Sequence, residues 1–181
     1  QSIQLPNLSN ARITSTPLIK DQQVIGTLGW LSSESQEGQW DLIDIKTGVG
    51  NRDFARRWLD EAIQMDLHNI AVLVMNVNQF NAINLEHGFD TGDLCLKEIG
   101  IRLATLVTED LQIAHLEADK FAILIRNIKD PDLILKTLSQ ATNDLTNPVL
   151  SQTHNITLRW SAGLARYPEN AKFGWELIHV A

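Results

Sequence analysis

The sequence predicts an α+β domain with an antiparallel-containing central sheet and helices packed around it. Residues 70–75 read IAVLVM, a continuous apolar run that is typical of a strand covered on both faces. Residues 111–116 and 121–126 are two β-rich runs separated by four residues, which indicates a hairpin. Segments with helical periodicity flank these runs, so the expected arrangement is ferredoxin-like.

The first 43 residues are predicted to be an N-terminal extension of this domain. Residues 12–18 and 24–31 are β-rich and indicate a hairpin, and residues 32–39 are rich in Ser, Glu and Gly, as linkers often are. The hairpin is similar to the closing strands of a PAS or GAF sensor domain. A hairpin added onto the main domain is an equal alternative.

Residues 44–181 are predicted to be the main domain. Apolar spacing and the potential cap Asn51 indicate its first helix, and Phe80 and Ile83 indicate about one helical turn after the central strand. The last helix is expected to be cut short where the chain ends. The remaining elements are expected as helices at 51–65, 90–107, from 130 onward and 173–181, and as a strand at 156–165.

Composition excludes several classes of function. The 15 Lys and Arg against 22 Asp and Glu give a net charge of −7, which disfavours nucleic acid and direct contact with an anionic membrane. The single cysteine, Cys95, cannot form an internal disulfide, so we expect a cytoplasmic domain, with a membrane anchor elsewhere in the parent protein left open. The five histidines show no metal-ligand spacing, and we expect no metal and no cofactor. His115 is expected to face solvent.

Four motifs in the main domain resemble one family. Their order and spacing are similar to those of GGDEF domains, the diguanylate cyclases. The resemblance implies the nucleotidyl-cyclase fold and a role in cyclic di-GMP signalling. The motifs are DIKTGVGNR at residues 44–52, NVNQFNAINLEHGFDTGD at 76–93, HLEADKF at 115–121, and SAG at 161–163 with Tyr167-Pro168.

The first metal-binding motif of the family is altered in this chain. The resemblance implies that active members hold divalent metals on GTP with the first Asp of a D-x-D motif, and here Asn76 and Asn78 occupy the two Asp positions. An amide oxygen is a weak ligand for a hard cation, which favours carboxylates. Asn81 stands where the family has a Lys.

The hairpin motif is altered as well. Lys120 stands where the resemblance implies a metal-binding Glu, and Glu117 and Ala118 replace the two glycines, so that Asp119 is the acid that remains. A Cβ at either glycine position restricts positive φ. These substitutions predict a degenerate domain that is not an enzyme and has no catalytic residues.

The nucleobase end of the family site is retained. Asn84 and Asp93 match the residues to which the resemblance assigns guanine recognition. Asp93 in a first helical turn and Asn84 at the close of a turn have structural explanations too. Thr108 and Leu111 stand where many relatives have the Arg and Asp of an inhibitory product site, so we expect no tight binding of cyclic di-GMP.

We therefore predict a catalytically inactive GGDEF domain that regulates an adjacent EAL-type domain. The expected partners are an EAL or sensor domain of the same protein, while a homodimer and weak GTP binding stay open. The first alternative is a GTP-sensing binding module without turnover. The second is a weak diguanylate cyclase.

Overall fold

The computed structural model describes residues 11–20, 23–33, 42–65, 69–128, 132–151 and 155–181. The chain divides into two compact units, Gln1–Gln39 and Trp40–Ala181. In the first unit, strands β1 (Ala11–Lys20) and β2 (Gln23–Ser33) pair antiparallel, which confirms the predicted hairpin. The predicted linker at 32–39 lies almost entirely outside the described residues.

The second unit is an α+β domain built on a four-stranded antiparallel sheet in the order β4-β5-β3-β8. The predicted fold class is thereby confirmed. A short ribbon of β6 and β7 lies apart from this sheet. The elements are α1 (Arg52–Gln64), β3 (Ile70–Val77), α2 (Phe80–His87), α3 (Phe89–Ala104), β4 (Leu111–Glu117), β5 (Lys120–Ile125), α4 (Asp132–Thr146), β6 (Val149–Leu150), β7 (Asn155–Ile156), β8 (Trp160–Tyr167) and α5 (Gly174–Val180).

One cluster of the core lies between the sheet and helices α1 and α5. The apolar run of β3 is buried as predicted, and Ile70 and Val72 pack in one cluster with Leu59 of α1 and Leu177 of α5. Helix α1 begins where expected, because the Asn51 side chain accepts a hydrogen bond of 3.0 Å from the backbone N–H of Phe54. Among the described helices, none is both long and apolar enough to cross a membrane.

Two predicted elements differ from the observed ones. The single helical turn expected at Phe80 is the two-turn helix α2, which Gly88, with φ at +87°, separates from α3. Only Phe80 of α2 is buried, so this helix lacks the apolar stripe by which its length could have been predicted. The strand expected at 156–165 is divided, because β7 pairs with β6 whereas β8 pairs with β3. Between them, the Arg159 carbonyl accepts a hydrogen bond of 2.7 Å from Asn78 N–H. Residue 130, the expected start of α4, is outside the described residues.

Candidate functional site

One end of the sheet brings together residues from three strands. Asn76 on β3 is the register partner of Lys120 on β5 and of Ser161 on β8. Immediately beyond β3, the Asn78 Oδ1 accepts a hydrogen bond of 2.8 Å from Ser161 Oγ. The residues that the sequence singled out in two separate motifs therefore lie side by side.

Asn76 presents an unsatisfied acceptor at this end of the sheet. Its Oδ1 is buried and has no hydrogen-bond partner among the described residues. A buried acceptor without a partner costs about 1–3 kcal/mol, so Asn76 carries an acceptor that the fold leaves unused. Asn78, by contrast, already uses its side-chain oxygen to accept from Ser161.

The hairpin turn between β4 and β5 carries a closed ion pair. Lys120 Nζ lies 3.0 Å from Glu117 Oε1, and Arg52 approaches the other carboxylate oxygen at 3.9 Å. The hydrogen bond and charge of Lys120 hold the pKa of Glu117 below its ordinary value. Ala118 adopts a positive φ of +47° although it carries a Cβ. The backbone conformation that favours glycine is thus kept without the glycine.

The divalent metals that the family resemblance implies can be tested against these donors. Mg²⁺ prefers carboxylate oxygens in near-octahedral geometry. In the described part of the chain, no three His, Cys, Asp or Glu side chains are grouped so that they could hold a metal. The end of β3 offers the neutral amide oxygen of Asn76, and the register partner of Asn76 on β5 is Lys120. Neither of these two side chains is a ligand that Mg²⁺ prefers.

A second polar cluster contains the two residues that were predicted to recognise guanine, together with a third residue. Asn84 of α2 lies against α3 at Gly92, where an added Cβ would fall 1.8 Å from the Asn84 Oδ1. Asp93 follows Gly92, and Lys46 Nζ lies 2.7 Å from Asp93 Oδ1, with both side chains about half exposed. The structure thus places Asn84 beside the turn of helix that carries Asp93. We define Lys46, Asn84 and Asp93 as the polar trio.

The sequence reasoning missed Lys46, although a signal for it existed. Lys46 lies within the DIKTG motif, at the position where the matching family motif has Leu. The signal was a charged residue at a position where the family has an apolar one, inside a motif that otherwise matches. Its partner is 47 residues away, so the ion pair itself could not be seen in the sequence.

The turn that carries Lys46 is held by Asp44. The Asp44 Oδ1 accepts hydrogen bonds from Thr47 N–H at 2.9 Å and from Thr47 Oγ1 at 2.7 Å, and it lies 3.2 Å from His115 Nδ1. Burial acts to raise the pKa of Asp44, but the Thr47 hydrogen bonds and the contact with His115 together lower it below its ordinary value. The expectation that His115 faces solvent is wrong, because this residue is 9% exposed.

A cleft of about 370 Å³ opens between α1 and α5. Its two arginines suggest an anion site, but each has an acidic neighbour: Arg52 lies 3.9 Å from Glu117, and Arg56 lies 3.8 Å from Asp60. These acids offset the positive charge that a phosphate would need. The lining residues are Arg52, Asp53, Arg56, Trp175, Ile178 and His179.

Comparison with known proteins identifies relatives of the second unit. Residues 41–181 match the family described as diguanylate cyclase, GGDEF domain. MucR of Pseudomonas aeruginosa, a bifunctional diguanylate cyclase/cyclic di-GMP phosphodiesterase, is 30% identical over 140 residues, which are 76% of this chain and 20% of MucR. The diguanylate cyclase TpbB of the same species is 28% identical over 142 residues, which are 76% of this chain and 33% of TpbB.

Solved structures agree with these sequence matches. The GGDEF domain of TpbB matches with a TM-score of 0.66 at 27% identity, over 76% of this chain and 82% of that chain. A sensory box/GGDEF family protein of Caulobacter crescentus has the same fold, with a TM-score of 0.68 at 23% identity over 77% and 92% of the two chains. The present chain spans only about a fifth to a third of the length of MucR and TpbB.

These relatives contradict the prediction that the chain is not an enzyme. Proteins named diguanylate cyclases match it over about three quarters of its length, and the matched family is that of the cyclases. The prediction was drawn from single positions such as Asn76 and Lys120. The hairpin turn still carries two carboxylates, those of Glu117 and Asp119. Substitution at individual positions does not establish that the reaction is lost.

Proposed function

The chain belongs to the GGDEF family of diguanylate cyclases, and from this premise we propose that it binds a guanine nucleotide and thereby regulates an adjacent EAL-type phosphodiesterase domain of the same cytoplasmic protein. A role in cyclic di-GMP signalling follows from family membership. The observation that carries the proposal is the polar trio, in which Lys46 pairs with Asp93 while Asn84 lies against Gly92, the residue before Asp93.

The chemistry of the polar trio suits guanine better than adenine. The Watson–Crick edge of guanine presents two N–H donors beside the O6 acceptor. A carboxylate such as Asp93 accepts from the donors, and an ammonium 2.7 Å from that carboxylate can donate to O6. Adenine presents an amino donor and an unprotonated ring nitrogen on this edge, so the ammonium and the carboxylate would each face a group of the wrong kind.

The proposed regulation draws on the relatives. MucR is named a bifunctional diguanylate cyclase/cyclic di-GMP phosphodiesterase, and NbdA of the same species, 25% identical over 146 residues, is named a cyclic di-GMP phosphodiesterase. Both are several times longer than the matched region, at 20% and 18% coverage. A nucleotide that binds one state of this domain more tightly than another would shift the activity of a coupled domain by the same free energy.

A second candidate function is diguanylate cyclase activity itself. The observation in its favour is the set of relatives that carry that name, TpbB among them. Both candidates require nucleotide binding, and the second adds conversion of the bound nucleotide. Formation of cyclic di-GMP from GTP tests for that conversion.

Replacing Asp93 with Asn is expected to weaken GTP binding about tenfold, which corresponds to about 1.4 kcal/mol. The substitution keeps the shape of the side chain but turns an acceptor-only carboxylate into a group whose NH₂ would face the guanine donors. Calorimetric titration with GTP and with ATP measures the effect, and the native chain is expected to bind ATP at least about tenfold more weakly than GTP.

Asp90→Asn is the matched control, because Asp90 is an exposed acid on the same helix, and it should leave GTP binding unchanged. Equal affinity for GTP and ATP, or native affinity in Asp93→Asn, would contradict the proposal. Regulation is tested in the full-length protein by measuring cyclic di-GMP hydrolysis with and without GTP. The response to GTP should disappear in Asp93→Asn. The appearance of cyclic di-GMP in the same assay would support the second candidate.

A further inference from the structure

The three most exposed large apolar side chains of the described residues lie next to the polar trio. Their exposed fractions are 95% for Ile45, 86% for Leu85 and 76% for Phe89. Single exposed apolar residues are common on protein surfaces and need no explanation. Here, however, each of the three adjoins a different member of the trio: Ile45 precedes Lys46, Leu85 follows Asn84, and Phe89 lies one helical turn before Asp93.

The packing of the chain places these side chains on one side of the domain. The turn that carries the first of them lies along α3, because its Thr47 carbonyl oxygen packs closely on Gly100 and its Lys46 reaches Asp93. Phe89, Asp93 and Gly100 are separated by four and seven residues, so they share one face of α3. Helix α2 meets α3 beside this face, at the residue before Asp93. We define Ile45, Leu85 and Phe89 as the apolar rim of the polar trio.

The charges beside the apolar rim are mainly acidic. Two exposed acids, Glu86 and Asp90, directly follow members of the rim in the chain. The charge of Lys46 is offset by Asp93, with which it pairs at 2.7 Å. Lys97 lies two helical turns beyond the start of α3. An apolar surface bordered by acids therefore faces solvent.

We propose that the apolar rim is a docking surface for an amphipathic helix of a partner domain, with Lys or Arg bordering the apolar face of that helix. Such a helix lays its apolar side chains on an exposed apolar surface. Its basic residues would pair with Glu86 and Asp90, and this charge complementarity selects the partner. A second copy of this chain does not meet the requirement, because it would bring the same acids together and itself carries a net charge of −7.

Docking at this surface would also control access to the polar trio. The trio lies among the members of the rim, so a helix that covers the rim covers the trio, and the helix and a guanine nucleotide exclude each other. By linkage, the nucleotide would then weaken docking by the same factor by which docking weakens nucleotide binding. This consequence rests on the proposed function, whereas the docking surface itself does not.

NMR titration of the ¹⁵N-labelled chain with a model helix tests the surface. The probe is a peptide of about 18 residues with Leu along one helical face and Lys on the other. The amide signals of Ile45, Leu85 and Phe89 should shift on binding. The same peptide with Glu in place of Lys should bind at least about tenfold more weakly, because its charges would face Glu86 and Asp90.

Leu85→Ser combined with Phe89→Ser should weaken binding of the Lys peptide at least about tenfold. The matched control is Leu135→Ser combined with Leu150→Ser, which removes two comparably exposed apolar side chains outside the rim and should leave binding unchanged. Equal binding of the two peptides, shifts outside the rim, or native affinity in the rim variant would overturn the proposal. Dimerisation of the native chain that the rim variant abolishes would overturn it in favour of a second copy.

Addition of GTP to the peptide complex tests the competition. GTP should displace the peptide from the native chain and fail to displace it from Asp93→Asn at the same concentration. GTP and peptide bound together would overturn the mutual exclusion. A chain that binds the peptide at the rim but binds no GTP would refute the proposed function and the exclusion, while the docking surface would be supported.

Discussion

GTP binding is expected to become strongly dependent on Mg²⁺ when Asn76 is replaced by Asp and Lys120 by Glu in the same chain. The two positions are register partners on β3 and β5, so the new carboxylates would stand side by side. Mg²⁺ is typically held by one or two carboxylates together with the phosphates of a bound nucleotide. The double substitution supplies these carboxylates and removes the Lys120 ammonium, which now pairs with Glu117.

The expected gain is about 30-fold in GTP affinity on adding Mg²⁺, or about 2 kcal/mol, whereas the native chain should change little. Calorimetric titration in excess MgCl₂ and in EDTA measures it. A second readout is thermal stability. The Asn76 oxygen is buried, and a buried carboxylate without a counter-charge destabilises the fold, so the melting temperature of the double variant should fall in EDTA and recover with Mg²⁺.

The matched control is Lys120→Gln, which removes the ammonium without adding an acid and should show little of the Mg²⁺ dependence. In each variant Glu117 loses its Lys120 partner, but that pair is exposed and contributes little to stability. Equal GTP affinity of the double variant in Mg²⁺ and in EDTA would mean that the sheet end does not form a metal site even with carboxylates in place.

Much of this arrangement could be predicted from the sequence, because it follows from strand order and register. The apolar run at 70–75 and the hairpin at 111–126 fix β3, β4 and β5, and pairing of β3 with β5 brings Asn76 beside Lys120. Regular periodicity and short turns leave few alternative secondary-structure assignments for such segments. The resemblance to GGDEF domains then assigned the motifs, and the observed fold agrees with it.

The contacts between side chains from different turns could not be predicted in this way. His115 was expected to face solvent, yet the register of β4 against β5 shifts between His115 and Glu117, and such a bulge re-aims the side chains next to it. The pair between Lys46 and Asp93 depends on how a loop lies against α3, which strand periodicity does not encode. The prediction that the chain is not an enzyme is contradicted by its relatives, since substitutions at single positions do not establish that the reaction is lost.

Replacing Gly100 with Ala is expected to destabilise the domain by about 2–3 kcal/mol, even though Ala is the better helix former by about 1 kcal/mol. Gly100 is buried in α3, and an added Cβ would lie 2.3 Å from the backbone oxygen of Thr47 and 3.1 Å from its carbonyl carbon. Backbone atoms cannot rotate aside, so the turn that contains Thr47 must move. The collision therefore outweighs the helix propensity.

Gly92→Ala is the matched control in the same helix. There the added Cβ would meet the end of a side chain, Asn84 Oδ1, at 1.8 Å, and Phe80 Cζ at 3.2 Å. Rotation of Asn84 can relieve the closer contact, so the loss of stability should stay within about 1 kcal/mol, while GTP binding should weaken because Asn84 has left the polar trio.

Urea unfolding measures both variants, and the midpoint should fall without a change in slope if only stability is affected. The moved turn also carries Asp44 and Lys46, so the Gly100→Ala domain should lose the contacts of Asp44 with His115 and of Lys46 with Asp93 as well. The NMR signals of the His115 ring would report the first of these losses. Equal stability of the two glycine variants would contradict this prediction. It would mean that the close approach of the Asp44–Thr47 turn to α3 does not fix the turn, nor the position of Lys46 in the polar trio.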